Sequence, residues 1–186
     1  MTPTRDPTTP ASLVERIDRV QDAWCRLGIL IGKAPAVQSP NPVTLLLETA
    51  AVAPAQPRLP GVAATWLAEH GDALDADRLA GLLLRHRAAG GAFAAATTGW
   101  ILDAALAAGA PAALAGAAQV AGEVTPPRVL FNVDRETPTL ERYAVLEAEP
   151  SAVARGLFAS AIEVRPKILR PAAWVRAQNP TLFPRA

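Results

Sequence analysis

The chain has few of the side chains from which catalytic centres are usually built. Its 186 residues include two histidines, one cysteine and only two lysines. Between Ala88 and Gly122 the only charged residue is Asp103. A lone cysteine cannot form an intramolecular disulfide, and no paired-cysteine spacing of a metal site occurs. We therefore predict no catalytic residue set, no metal site and no cofactor.

Aromatic residues are also scarce, at 5%, although 51% of the chain is hydrophobic. Alanine supplies the difference, at about a fifth of all residues, and it is the best helix former. Residues that favour strands are confined to a few short runs. The composition predicts a mainly α fold, a globular array of about eight short helices, with one small two-stranded β element in the C-terminal third. The net charge of +1 gives no global attraction to nucleic acid or to a membrane.

The strongest helix signal lies near the start of the chain. Ser12 and Glu15 have the spacing of a capping box, and apolar residues then recur every three or four positions. This spacing is typical of an amphipathic helix that packs on its own domain or on a partner protein, including a second copy. The candidate protein-interaction residues on this seam are Leu13, Ile17, Val20, Trp24 and Leu27.

Capping residues, prolines and glycines predict the boundaries of the following helices. The predicted helices start at Pro42, Gly61, Ala76, Phe93 and Pro111 and end near Ala53, His70, Ala89, Ala108 and Val120. We expect three regions: a flexible tail over 1–11, a helical core domain over 12–123, and an α(+β) extension over 124–186 packed on that core.

The extension contains the most strand-like segment, Val129–Val133, and we expect Ala161–Arg165 to pair with it. Three helices are predicted around these segments, from Thr137 to Ala148, from Ser151 to Ser160, and from Pro171 to Asn179. Each of the four tryptophans falls on a different predicted helix, and we expect all four to anchor the core: Trp24, Trp66, Trp100 and Trp174.

Charge is unevenly distributed in this extension. Residues 123–149 carry a net charge of −3, and residues 150–186 carry +5. A basic surface beside Trp174 suits an acidic partner or nucleic acid. The candidate nucleic-acid-binding residues are Arg165, Lys167, Arg170 and Arg176.

One segment resembles a known motif without completing it. Residues 66–80 resemble the first two helices of a winged-helix DNA-binding domain, which implies a polar recognition helix next. The sequence continues instead through three leucines at 82–84 into an apolar stretch. The carboxylates of His70–Asp77 are typical of helix capping, and Cys25 is typical of a buried structural thiol.

The sequence therefore favours a non-catalytic protein–protein interaction or regulatory subunit in the cytoplasm, with no membrane segment. The alternative is a nucleic-acid-binding regulator that uses the basic C-terminal surface. The second alternative is an enzyme of unknown class built around His70 and His86, which is less favoured than either.

Overall fold

The computed structural model describes residues 12–30, 40–129 and 149–183. The predicted tail over 1–11, the strand residues after Val129 and the predicted helix from Thr137 to Ala148 lie outside these ranges. The described residues form a mainly helical fold, as predicted, with a two-stranded sheet. The helices are α1 (Leu13–Arg26), α2 (Pro42–Val52), α3 (Leu59–His70), α4 (Ala76–Ala88), α5 (Ala92–Ala107), α6 (Ala115–Ala121), α7 (Pro150–Ala154) and α8 (Ala172–Gln178). The strands are β1 (Arg128–Val129) and β2 (Leu157–Phe158).

The predicted caps define where α1, α2 and α4 begin. Ser12 and Glu15 form a complete capping box, in which the Ser12 amide donates to the Glu15 carboxylate at 2.7 Å. Asn41 accepts from the Val43 amide at 2.9 Å, and Asp75 accepts from the Arg78 amide at 2.9 Å. Each bond satisfies one of the amides that a helix leaves unpaired at its first turn. The sequence therefore located these three helix starts correctly.

The core is centred on α5, which packs against α2, α3, α4 and α6. Small side chains such as Ala95, Ala96 and Ala105 are fully buried on it, and they let the neighbouring helices approach closely. No helix among the described residues is long and apolar enough to cross a membrane.

Three tryptophans anchor this core, and the fourth does not. Trp24, Trp66 and Trp100 are at most 1% exposed. The prediction for Trp174 is wrong, since its side chain is 38% exposed. Helix α8 has seven residues and buries only Val175, so it lies on the core as a surface helix and leaves its indole at the edge.

The single charge of the alanine-rich middle joins the C-terminal part of the chain to the core. The Arg155 guanidinium donates two hydrogen bonds to the Asp103 carboxylate, at 2.6 and 2.8 Å, and a third to the Gly122 carbonyl at 3.2 Å. A two-pronged contact of this kind is among the stronger polar interactions in proteins. Asp103 therefore serves as the anchor on α5 for the segment that follows α7.

The small sheet differs from the predicted one. Strand β1 pairs in parallel with β2, in the register Arg128 to Leu157 and Val129 to Phe158. The expected partner, Ala161–Arg165, is not in a strand. The helix predicted from Ser151 to Ser160 was also too long. Helix α7 ends at Ala154, and Gly156, with φ of +69°, turns the chain out of the helix and into β2.

Two glycines, one on α5 and one on α6, allow a matched test of how closely Arg155 packs against α5. A Cβ at Gly99 would lie against the Arg155 guanidinium, 2.6 Å from Cζ, and 2.7 Å from the Cβ of Ala121. A Cβ at Gly116 would meet no atom within 4 Å. We expect Gly99→Ala to destabilise the protein by about 1–3 kcal/mol through overpacking. Gly116→Ala should stabilise it by about 0.5–1 kcal/mol through helix propensity. Urea unfolding measures both, and a stabilised Gly99→Ala variant would contradict the close approach of Arg155.

Candidate interaction surface

The seam predicted on α1 divides into a buried part and an exposed part. Val20, Trp24 and Leu27 lie in the core of the chain itself, each at most 1% exposed. Ile17 is half-buried, while Leu13 is 50% exposed. Only the first turns of α1 can therefore meet a partner without unfolding the core, and the interaction itself stays a prediction.

A second exposed apolar surface lies where the end of α1 meets α8. The Arg170 amide donates to the Gly28 carbonyl at 2.7 Å, and the Leu30 amide donates to the Ile168 carbonyl, also at 2.7 Å. At one end of this short antiparallel bridge Leu30 is 47% exposed, and at the other end, near Gly28, the indole of Trp174 is 38% exposed. We call Leu30 and Trp174, with the adjoining cations Lys167 and Arg170, the indole surface.

Gly28 allows the Trp174 indole to lie close to the bridge, because it has no side chain. Its φ is +100°, a conformation that favours glycine, and a Cβ there would lie 2.5 Å from the Val175 side chain and 3.6 Å from the Trp174 ring. The Arg170 guanidinium lies over the same ring, 5.5 Å from its centroid. The indole is therefore held between backbone and guanidinium in one orientation. Sequence reasoning missed Leu30 and Gly28, although a glycine directly after a helix was the available signal.

The four predicted nucleic-acid-binding residues lie in and around this surface, but they do not form a patch of unpaired cations. Arg165 is paired with Glu163, and Arg176 with Asp72 at 3.2 Å. Arg176 also lies over the Phe183 ring, at 4.7 Å. All four side chains are exposed, but Arg170 is stacked on Trp174, and only Lys167 has neither a carboxylate within ion-pair distance nor a ring contact among the described residues.

His70 lies inside the fold rather than at a reactive surface. Its ring is 1% exposed, with ring centroids 5.6 Å from Trp66 and 5.7 Å from Phe183. Neither ring nitrogen has a hydrogen-bond partner among the described residues. Burial, followed by the nearby Arg176 charge, lowers the pKa of His70, and Asp72 and Glu69 oppose this shift more weakly. The neutral imidazole therefore packs as an aromatic core side chain.

The described residues contain no cluster of three or more His, Cys, Asp or Glu that could hold a metal ion. Cys25 is a buried thiol at the end of α1. Asp75 caps α4, and Asp72 pairs with Arg176, so two of the three carboxylates that follow His70 have structural partners. No protein-family model, no curated protein and no solved structure matches this chain.

The burial of His70 predicts a specific pH dependence. An unfolded histidine takes up a proton near pH 6.5, while the folded side chain has a lower pKa and resists protonation. The stability that depends on neutral His70 is therefore complete above pH 6.5 and decreases as the pH falls below it. We expect His70→Phe, which keeps a ring and removes the proton site, to lose this decrease between pH 7 and 5.5 in urea unfolding.

His86→Ala serves as the control, because it leaves the buried ring of His70 in place. It should retain the pH dependence of the original protein. Equal pH dependence in His70→Phe and in the original protein would show that His70 is not held neutral in the fold.

Proposed function

We propose that this protein is a non-catalytic interaction or regulatory subunit that binds another protein in the cytoplasm through the indole surface. The observation that carries the proposal is the exposed Trp174 side chain, which lies near one end of the bridge that also carries exposed Leu30. Tryptophan and arginine are the residues most enriched at the energetic centres of protein interfaces. A partner that covered this indole would remove its exposed apolar surface from water, which favours association.

The way Trp174 is held favours tight binding. The ring is stacked against Arg170, and its neighbour Val175 is packed over Gly28. Less side-chain entropy is lost when a contact residue is already fixed in place. The exposed Leu13 on α1 offers a second apolar contact, as the sequence suggested.

The pairing of the cations favours a protein over nucleic acid as the partner. Nucleic-acid binding gains its affinity from arginines and lysines that neutralise phosphates. Two of the four candidate residues already have carboxylate partners, Glu163 and Asp72. The remaining two, Lys167 and Arg170, flank an apolar centre, which is the arrangement of a protein interface with a charged rim.

Affinity recovery of the tagged protein from its native cells, with and without nuclease, tests this proposal. We expect a stoichiometric protein partner that survives nuclease treatment. Trp174→Ala should weaken binding of that partner by about 30-fold, the effect of losing about 2 kcal/mol at an interface centre. Titration of the purified partner measures the change.

Leu84→Ala is the matched control, because Leu84 is a similarly exposed apolar residue on α4. It should leave partner binding unchanged. Thermal unfolding checks that Trp174→Ala remains folded. Recovery of nucleic acid that is lost on raising the salt would support the alternative function, and a partner unaffected by Trp174→Ala would remove the indole surface from the proposal.

A further inference from the structure

The segment that the sequence predicted as a strand, Ala161–Arg165, is extended but belongs to no sheet. Here residues 159–165 are called the strap. A Cβ at Gly61 would lie 3.0 Å from the Glu163 carbonyl oxygen, and the Arg165 amide donates to the Thr65 hydroxyl at 2.9 Å. Along residues 161–165 exposed residues alternate with half-buried ones, as on a β-strand, and the strap lies against α3 at Glu163 and Arg165.

The strap is fixed at both ends, but its middle has no main-chain partner. The Ala159 carbonyl accepts from the Glu149 amide at 3.0 Å, and the Arg165 amide is bound by Thr65. Within the described parts of the chain, residues 160–164 make no main-chain hydrogen bond. Ser160, Ala161 and Glu163 are exposed. Because the Glu163 carbonyl and the Arg165 amide face α3, the outward edge of the extended strap carries the main-chain groups of residues 160 and 162. Free amides and carbonyls on such an edge are a template for another strand.

A cleft of about 620 Å³ opens beside the strap. Residues 160–163 form one wall, and the start of α3 with the turn before it, residues 57–62, forms the other. Trp100, Ile162 and Ile168 add apolar surface to the lining. Ligand sites in proteins commonly have volumes of about 300–1,000 Å³ and apolar linings with a few polar groups. The cleft thus combines unpaired main-chain groups with apolar surface.

The charges at the cleft favour an acidic occupant. Arg58 is exposed at its wall and has no ion-pair partner among the described residues. The other cation of the lining, Arg165, is already paired with Glu163. A carboxylate entering the cleft would therefore be attracted by Arg58, while a lysine or arginine would meet an uncompensated positive charge.

We propose that this cleft binds an extended, acidic peptide segment of a partner protein, which adds to the strap as a β-strand. Main-chain hydrogen bonds to residues 160 and 162 would supply affinity, as in other cases of strand addition. An apolar side chain of the peptide would enter the lining, and an acidic one would approach Arg58. The cleft lining shares no residue with the indole surface, so either proposal can fail without the other.

A displayed library of random dodecapeptides, selected against the full chain, tests the proposal. We expect enriched peptides to alternate β-branched and acidic residues. Ser160→Pro, which removes an outward-facing amide from the strap, should weaken their binding at least tenfold, as should Arg58→Glu. On binding, the amides of Ser160 and Ile162 should become protected from hydrogen exchange.

Each variant has a matched control that should bind as the original protein does. Ser160→Gly keeps the amide, and Arg78→Glu makes the same charge change at an exposed position on α4. Failure to enrich any peptide would overturn the proposal. So would peptides unaffected by both Ser160→Pro and Arg58→Glu. If the enriched peptides fail to bind the Trp174→Ala variant but still bind the other variants, strand addition would be overturned and the indole surface would be supported instead.

Discussion

Three indole rings lie inside this protein, and each indole N–H needs an acceptor where water cannot reach it. Trp24 donates to the Thr49 hydroxyl at 2.9 Å, Trp66 to the Leu27 carbonyl at 3.0 Å, and Trp100 to the Glu149 carboxylate at 3.2 Å. Leaving a buried donor unpaired costs about 1–3 kcal/mol. These three bonds therefore specify which segments meet: α1 with α2, α3 with the end of α1, and α5 with the start of α7.

The Glu149 carboxylate accepts hydrogen bonds both from a buried indole and from the start of α7. It accepts from the Trp100 indole, from the Ala152 amide at the start of α7, and from the Ser151 hydroxyl. Burial alone would raise the pKa of Glu149, but the hydrogen bonds from Ser151, Ala152 and Trp100 outweigh it and lower the pKa. With the pairing of Asp103 and Arg155, this carboxylate fixes the C-terminal helices on a core that has little polar chemistry of its own.

The sequence predicted those features that depend on neighbouring residues. Ser12, Asn41 and Asp75 act on amides two or three positions away, so their spacing alone located three helix starts. Apolar spacing on α1 likewise predicted an amphipathic helix. It could not tell which partner covers that face, because Val20 and Trp24 present the same pattern to their own core or to another protein.

The features that were missed depend on contacts between distant residues. The alternating apolar residues of the strap predicted a strand that pairs with β1. In the structure β1 pairs with Leu157 and Phe158 instead. The exposure of Trp174 depends on α8 lying over Gly28, which no local pattern encodes. The candidate surfaces therefore emerged from the structure, while the predicted set of basic residues is largely taken up by carboxylates and aromatic rings.

The contact between the end of α1 and α8 also bears on synthesis of the chain. The Asn179 side chain donates to the Arg26 carbonyl across 153 residues of sequence. At about 5–20 residues per second, a ribosome needs about 8–30 s to make that intervening length. Throughout this interval Ile29, which is buried in the finished fold, lacks the C-terminal partner Leu169 with which it pairs. The contacts at the end of the first helix are therefore among the last to form, and until then they leave apolar surface exposed of the kind that makes folding intermediates prone to aggregate.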